Sequence, residues 1–124
     1  MKSFAILCVS LAVVGQVFCN LKDTDVQVGD CDGTGPIVYE EIMNVQLSID
    51  SIVIETKFIC TPDVSLVLKC IEIKDLRNDG TNGQARVSAG GPGEPCATLE
   101  FTSQINTGMD FGITVWGMNN SLTF

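Results

Sequence analysis

The segment Met109-Asp110-Phe111-Gly112-Ile113-Thr114-Val115-Trp116 alternates apolar residues with mostly polar or small ones. Because successive side chains of a β-strand point to opposite faces, this period of two indicates a strand with one face in a core. The same period recurs over residues 84–89 and 97–102. No segment carries a sustained helical stripe, so the pattern predicts an all-β protein.

Earlier in the chain the alternation changes phase. Apolar residues alternate over 45–49 and again over 52–58, but the phase shifts after Asp50-Ser51. A shift of one residue exchanges the two faces of a strand, so we expect a turn or a bulge at Asp50-Ser51. The run 64–73 is apolar on both faces over much of its length, which predicts a central strand.

Turn-forming residues separate these strands. Residues 78–83 contain an Asp-Gly and an Asn-Gly pair, which are signals of a β-hairpin. The sequence Gly90-Gly91-Pro92-Gly93 suits a type II turn centred on Pro92 and Gly93, where the second central residue needs a positive φ. About seven short strands with such connections predict an antiparallel β-sandwich or a small barrel.

The N-terminal residues have the pattern of a secretory signal peptide. Lys2 gives a positive start, residues 4–14 are apolar apart from Ser10, and Val17-Phe18-Cys19 offers a cleavage site. The apolar run is too short to span a bilayer. We therefore expect a signal peptide over 1–19 and one secreted β-domain over 20–124, with no membrane anchor and with a loose N-terminal arm over 20–29.

The cysteine count agrees with export. Six cysteines are present, and Cys8 and Cys19 would leave with the signal peptide. The four that remain are Cys31, Cys60, Cys70 and Cys96. An even number in a short exported domain predicts two disulfides, with three connectivities open. A metal site is disfavoured because the chain has no CxxC pair and no histidine.

Charge and composition exclude several functions. Without Lys2 the chain has six basic and fifteen acidic residues, a net charge of −9. Nucleic-acid binding needs clustered basic residues, so we expect no such partner. The absence of histidine removes the usual Ser-His and Cys-His nucleophile arrangements. We expect a protein that is not an enzyme, with no catalytic residue and no cofactor.

One loop has part of a calcium-binding pattern. Counted from Asp30, oxygen-bearing residues fall at positions one, three, five and twelve of an EF-hand loop, with Gly35 at six. These residues are Asp30, Asp32, Thr34 and Glu41. An EF-hand loop works between two helices, and the flanking sequence predicts none. We interpret the segment as a polar turn and predict no metal ligand.

Two C-terminal features are candidates for contact or modification. Trp116 falls on the outer face of the last strand, where it either anchors a partner or packs under a loop. Asn119-Asn120-Ser121 is a sequon for N-glycosylation at Asn119.

Several motifs in order resemble one family. Ile71-Glu72-Ile73-Lys74-Asp75, the Asn/Gly-rich segment 78–83 and Ala85-Arg86-Val87-Ser88 followed by Gly90-Gly91-Pro92-Gly93 are similar to the multiprotein-bridging-factor-two family of arthropods. Many of its members are called salivary secreted peptides. The spaced apolar residues and glycines of 99–117 continue the match, and Val28-Gly29 with Tyr39 fits more loosely. The resemblance implies a single β-rich domain, and the four cysteines suggest a divergent, disulfide-reinforced branch.

The expected function combines the resemblance with the export signal. We expect a secreted, non-enzymatic protein of insect saliva, venom or haemolymph that binds a host or self partner. An alternative is an extracellular carrier of a small apolar ligand held between two sheets. The family's name suggests a third function, transcriptional coactivation, which a signal peptide, disulfides and an acidic surface do not favour.

Overall fold

A computed structural model describes residues 25–120, which form seven β-strands in two antiparallel sheets. In chain order the strands are β1 (Val26–Gly29), β2 (Ile37–Val45), β3 (Ile54–Cys60), β4 (Leu66–Asp75), β5 (Gln84–Gly90), β6 (Cys96–Thr102) and β7 (Met109–Asn119). The four-stranded sheet has the order β1-β4-β7-β2 and the three-stranded sheet the order β3-β6-β5. The predicted all-β sandwich is confirmed. Within 25–120 no helix has the length and apolar character needed to cross a bilayer.

The core lies between the two sheets and consists of the inward residues of the alternating strands. The large side chains with no exposed surface are Leu68, Ile71, Ile73, Leu99, Phe101, Met109, Phe111, Ile113 and Val115. The rings of Phe101 on β6 and Phe111 on β7 lie 5.3 Å apart between centroids, so they join the two sheets. The strand that is apolar on both faces, β4, is an interior strand between β1 and β7.

The predicted loose arm over 20–29 is wrong for its last four residues. These residues form β1, in which Val28 pairs with Ile71 of β4. The Asp30 N–H continues the pairing by donating to the Lys69 carbonyl at 3.1 Å. A disulfide just beyond the strand holds it in place, because Cys31 is bonded to Cys70. The predicted signal peptide over 1–19 and the arm residues 20–24 lie outside the described part of the chain.

The alternation over 45–49 does not produce a strand. β2 ends at Val45, where its partner β7 begins with Met109, so the following residues have no strand to pair with. Leu47 and Ile49 are exposed instead. The expected change at Asp50-Ser51 is a turn, in which Asp50 has φ of +61°.

Residues 76–83, here called the crossing segment, do not form the predicted hairpin. They run from β4 in one sheet to β5 in the other. The buried Asn82 side chain fixes this path, because its Nδ2 donates to Asp75 Oδ1 at 2.6 Å and to the Asp110 carbonyl at 2.5 Å. Gly83 then passes so close to β6 that a Cβ there would lie 2.2 Å from the Thr102 carbonyl oxygen.

The two predicted disulfides are present. One joins Cys31, just after β1, to Cys70 on β4. The other joins Cys60 on β3 to Cys96, the residue directly opposite on β6. Each bridge therefore ties neighbouring strands of one sheet together, while the core side chains and the crossing segment join the two sheets.

Candidate binding surfaces

The Gly-rich segment 90–93 forms the turn between β5 and β6. The Glu94 N–H donates to the Gly91 carbonyl at 2.9 Å, and Gly93 has φ of +89°. Leu68 of β4 exchanges two backbone hydrogen bonds with this turn, one with Gly93 and one with Glu94, each 2.8 Å long. The turn therefore fastens the β5–β6 hairpin to the four-stranded sheet, which is a structural role.

The oxygen atoms of the calcium-like pattern gather around a lysine. Lys69 Nζ donates to Asp32 Oδ1 at 2.7 Å, to the Thr34 carbonyl at 3.2 Å and to Thr34 Oγ1. The Lys69 ammonium holds the pKa of the Asp32 carboxyl well below its usual range, with further help from Thr34. Glu41 lies away from this group on β2. In the described ranges no cluster of three or more His, Cys, Asp or Glu residues is arranged to hold a metal ion.

Glu41 belongs to a polar cluster at the side of the sandwich where β2 faces β3. Tyr39 Oη donates to Glu41 Oε1, and Lys57 Nζ donates to Glu41 Oε2 at 3.2 Å. The hydrogen bond to Glu41 raises the pKa of Tyr39 to about 12, and the same bond lowers the pKa of Glu41. The cluster ties the two sheets together at this side. The period of two already places Tyr39 and Glu41 on one face of β2.

The two C-terminal candidates have different surroundings. Trp116 is half-buried on the outer face of β7, where Cys70 and Ile37 are its neighbours on the two flanking strands. This position gives the indole a packing role beside the Cys31–Cys70 bridge. Asn119 is the last residue of β7 and is exposed, whereas Ser121 of its sequon lies outside the described residues.

Exposed aliphatic side chains gather at one end of the sandwich, where the β2–β3 and β6–β7 loops meet. The members of this loop-end surface are Leu47, Ile49, Ile52 and Ile105, which are between 50% and 77% exposed. The two loops are bonded together, because the Asn106 N–H donates to the Ser51 carbonyl at 3.1 Å and the Ser103 N–H to the Val53 carbonyl at 2.9 Å. A contiguous exposed apolar patch is a candidate interaction site in a soluble protein, whereas single exposed apolar residues are ordinary.

Sequence reasoning missed the loop-end surface for two reasons. It assigned Ile49 and Ile52 to strands, where they would have a buried face, and it gave Ile105 no role between two polar neighbours. The polar neighbours Gln104 and Asn106 were the available signal, because they place an aliphatic residue inside a turn sequence rather than a strand.

A second apolar surface covers the outer side of β3. Ile54 and Phe58 are 58% and 72% exposed on this side, whereas Lys57 points inward to its ion pair with Glu41. Over residues 54–58 the apolar side chains of β3 therefore face solvent, the reverse of the usual arrangement, whereas the following Ile59 is buried in the core. We refer to Ile54, Thr56 and Phe58 together as the outer β3 face.

Comparison with known proteins identifies the family. Residues 28–117 match the family model described as Transcription activator MBF2. Searches of curated proteins and of solved structures gave no match. The matched range runs from β1 to β7 and includes both disulfides of the sandwich. Because the match covers well over half of the chain, this chain belongs to the MBF2 family.

Proposed function

We propose that this chain is a secreted, non-enzymatic protein of insect saliva, venom or haemolymph that binds a host or self protein through its loop-end surface. The observation that carries the proposal is the group of four exposed aliphatic side chains at one end of a disulfide-braced sandwich. Burying such side chains against a partner is favourable at roughly 25 cal/mol per Å² of apolar area.

The loops that carry this surface are held in place before any partner arrives. Val53 donates its N–H to Ser103 Oγ at 2.7 Å and accepts from the Ser103 N–H, so the two loops form a reciprocal pair of bonds. The Asp50 N–H adds a bond to Asn106 Oδ1 at 2.5 Å. A surface ordered in the free protein loses less conformational entropy on binding, which supports a role in recognition.

Two features support an extracellular location. Disulfides form and persist in oxidising compartments and are rare in the cytosol and nucleus. Residues 25–120 contain two of them, at Cys31–Cys70 and Cys60–Cys96. The net charge of −8 also suits a soluble secreted protein better than one that contacts nucleic acid.

The alternative function, transport of a small apolar ligand, has less support from the structure than protein binding. Such a ligand would lie between the two sheets, and Phe101 and Phe111 meet there at 5.3 Å between ring centroids. The surrounding core side chains are also fully buried. A ligand would have to displace this packing, which costs several kcal/mol for aromatic residues.

The second candidate function is transcriptional coactivation. The description of the matched family, Transcription activator MBF2, favours it. The two functions require different compartments, because a secreted protein leaves the cell and a transcriptional coactivator acts in the nucleus. Full-length chain produced in insect cells is expected in the medium, beginning at Asn20 with 105 residues and both bridges formed. Retention in the nucleus with reduced cysteines would favour the coactivator and contradict our proposal.

Site-specific photo-crosslinking tests binding through the loop-end surface. A photoreactive amino acid at Ile49 is compared with one at Val64, an 88% exposed aliphatic residue in the loop at the opposite end. In the fluid where the protein accumulates, we expect one discrete crosslinked species from position 49 and none from position 64. Equal crosslinking at both positions would contradict the assignment of this surface.

A further inference from the structure

We propose that two copies of this chain form a symmetric dimer in which the free edges of their β3 strands pair antiparallel about Thr56. Such a dimer is separate from the proposed function and does not depend on it. β3 is an edge strand, because it pairs with β6 on one side and with no described strand on the other. Pairing would join the two three-stranded sheets into one sheet of six strands.

Among the four edge strands, β3 is the one best shaped for such pairing. β1 has only four residues. β2 and β5 carry register irregularities, between Ile37 and Tyr39 and between Val87 and Ala89. β3 keeps a continuous register with β6 over seven residues. Short length and bulges protect the other edges from pairing, and β3 lacks both protections.

The hydrogen-bonding pattern of β3 fixes which backbone groups reach its free edge. The Val53 carbonyl accepts from Ser103, and the Thr61 N–H donates to the Pro95 carbonyl at 2.8 Å, so odd-numbered residues bond toward β6. In an antiparallel ladder the intervening residues direct their N–H and C=O groups the other way. Ile54, Thr56 and Phe58 therefore offer six backbone groups to a second strand.

Only registers that place even-numbered residues opposite even-numbered residues use these groups. In a two-fold register the central residue of one copy lies opposite the same residue of the other copy. Three such registers have Glu55, Thr56 or Lys57 at the centre. Centring on Glu55 sets two carboxylates directly opposite each other, and centring on Lys57 sets two ammonium groups opposite each other. Like charges in these positions are destabilising.

The register centred on Thr56 avoids both repulsions and adds attractive pairs. It places Glu55 of each copy opposite Lys57 of the other. It also places Ile54 of each copy opposite Phe58 of the other, and these are the two most exposed apolar residues of the strand. An aromatic residue opposite a β-branched one is a favourable cross-strand pair. The two-fold axis makes every one of these contacts twice.

The dimer complements the exposed outer β3 face. It gives Phe58, which is 72% exposed, an apolar neighbour on the same face of the joined sheet. It also brings Glu55 of the second copy to Lys57, beside the existing partner Glu41 at 3.2 Å. Because the pairing is antiparallel, the two loop-end surfaces lie at opposite ends of the joined strands and remain open.

Light scattering coupled to gel filtration tests the dimer on the mature protein with both disulfides formed. We expect a molar mass twice that of the monomer, with dissociation on dilution. Thr56→Pro removes one outward N–H without touching the bonds to β6, and it should halve the measured mass. A wild-type mass equal to the monomer at all concentrations, or a dimer that Thr56→Pro leaves intact, would overturn the proposal.

Cysteine crosslinking tests the register even if Thr56→Pro does not fold. Residues opposite each other in a hydrogen-bonded pair lie about 5.5 Å apart between Cα atoms, within the range of a disulfide. Thr56→Cys should therefore give a covalent dimer. Ile54→Cys and Phe58→Cys should each crosslink slowly alone and rapidly when mixed. Rapid crosslinking of either variant with itself, without crosslinking of Thr56→Cys, would contradict the register.

Discussion

Replacing Asn82 with alanine removes the side chain that joins the crossing segment to both sheets. Its Nδ2 donates to Asp75 Oδ1 and to the Asp110 carbonyl, and its Oδ1 accepts from the Asp110 N–H at 2.9 Å and from the Gly83 N–H at 3.1 Å. The residue is buried, so these groups lose their partner in a place with little access to water. The change should therefore destabilise the fold well beyond an ordinary polar substitution.

The expected magnitude follows from the N–H groups of Asp110 and Gly83, which both lose their acceptor. The Asp110 carbonyl keeps a bond from the Leu76 N–H, and Asp75 Oδ1 keeps one from the Arg77 N–H. Each buried group left without a hydrogen bond costs about 1–3 kcal/mol, and a water entering the space left by the amide offsets part of this. We expect Asn82→Ala to lower the free energy of unfolding by about 2–4 kcal/mol, which for a domain of this size corresponds to a fall of about 10–25 °C in Tm.

Urea denaturation with both disulfides intact measures this loss. The matched control is Asn44→Ala, which removes another amide that donates to Asp110 but lies exposed on β2. Exposed substitutions of this kind change stability by about 0.5 kcal/mol or less. If Asn82→Ala cost no more than Asn44→Ala, the idea that the buried amide holds the crossing segment would be refuted.

Three further predictions concern a bridge, the polar cluster and the turn. Replacing Cys60 and Cys96 together with alanine opens a loop with a sequence separation of 36, and urea denaturation should show a loss of about 3–4 kcal/mol. An unchanged unfolding midpoint would contradict this. Tyr39 is the single tyrosine, so phenolate ultraviolet absorbance should report its ionisation, which we expect near pH 12 in the folded protein. Glu41→Gln should bring the pKa of Tyr39 closer to the ordinary value of 10.0. Because folding raises the pKa of Tyr39, the stabilisation from the Tyr39–Glu41 bond is complete below pH 10 and is lost as pH rises through about 12. Ionisation of Tyr39 near pH 10 in the folded protein would show that the bond does not form. Gly93→Val places a β-branched residue at φ of +89° and should lower stability by about 1–3 kcal/mol in thermal melts, whereas a wild-type Tm would point to a different turn.

The strands of the C-terminal half were predictable because local pattern and burial agree there. Leu99, Phe101, Phe111, Ile113 and Val115 alternate with mostly polar or small residues and are all fully buried. In such strands the apolar phase identifies the inner face, so sequence alone gives both the strand and its orientation. The even cysteine count similarly predicted two bridges, while the pairing depended on strand register and stayed open.

The orientation of β3 was not predictable from its own residues. A period of two shows that Ile54 and Phe58 share a face but does not say which face is buried. The inner face carries Ile59, which is buried in the core, and Lys57, whose ammonium reaches Glu41 on the other sheet, sixteen residues earlier. A contact between two strands of different sheets leaves no trace in the local pattern, and the candidate dimer surface therefore became visible only in the fold.

The crossing segment shows the same limit for turns. The Asp-Gly and Asn-Gly pairs of 78–83 supply the conformations that any tight turn needs, and Gly80 indeed has φ of +76°. Whether the next strand returns to the same sheet depends on Asn82 reaching Asp110, twenty-eight residues away. Local chemistry therefore placed a turn correctly but gave it the wrong role.

We propose that this MBF2-family, disulfide-braced sandwich is extracellular, and disulfide mapping of the protein recovered from insect-cell medium tests that proposal most directly. Trypsin cleavage after Lys57, Lys69 and Lys74 puts all four cysteines on separate peptides, so every connectivity is distinguishable. We predict that the peptide 70–74 is linked to the one containing Cys31, and the peptide 58–69 to the one containing Cys96. Recovery of the chain from cells alone, with its cysteines unpaired, would contradict the account.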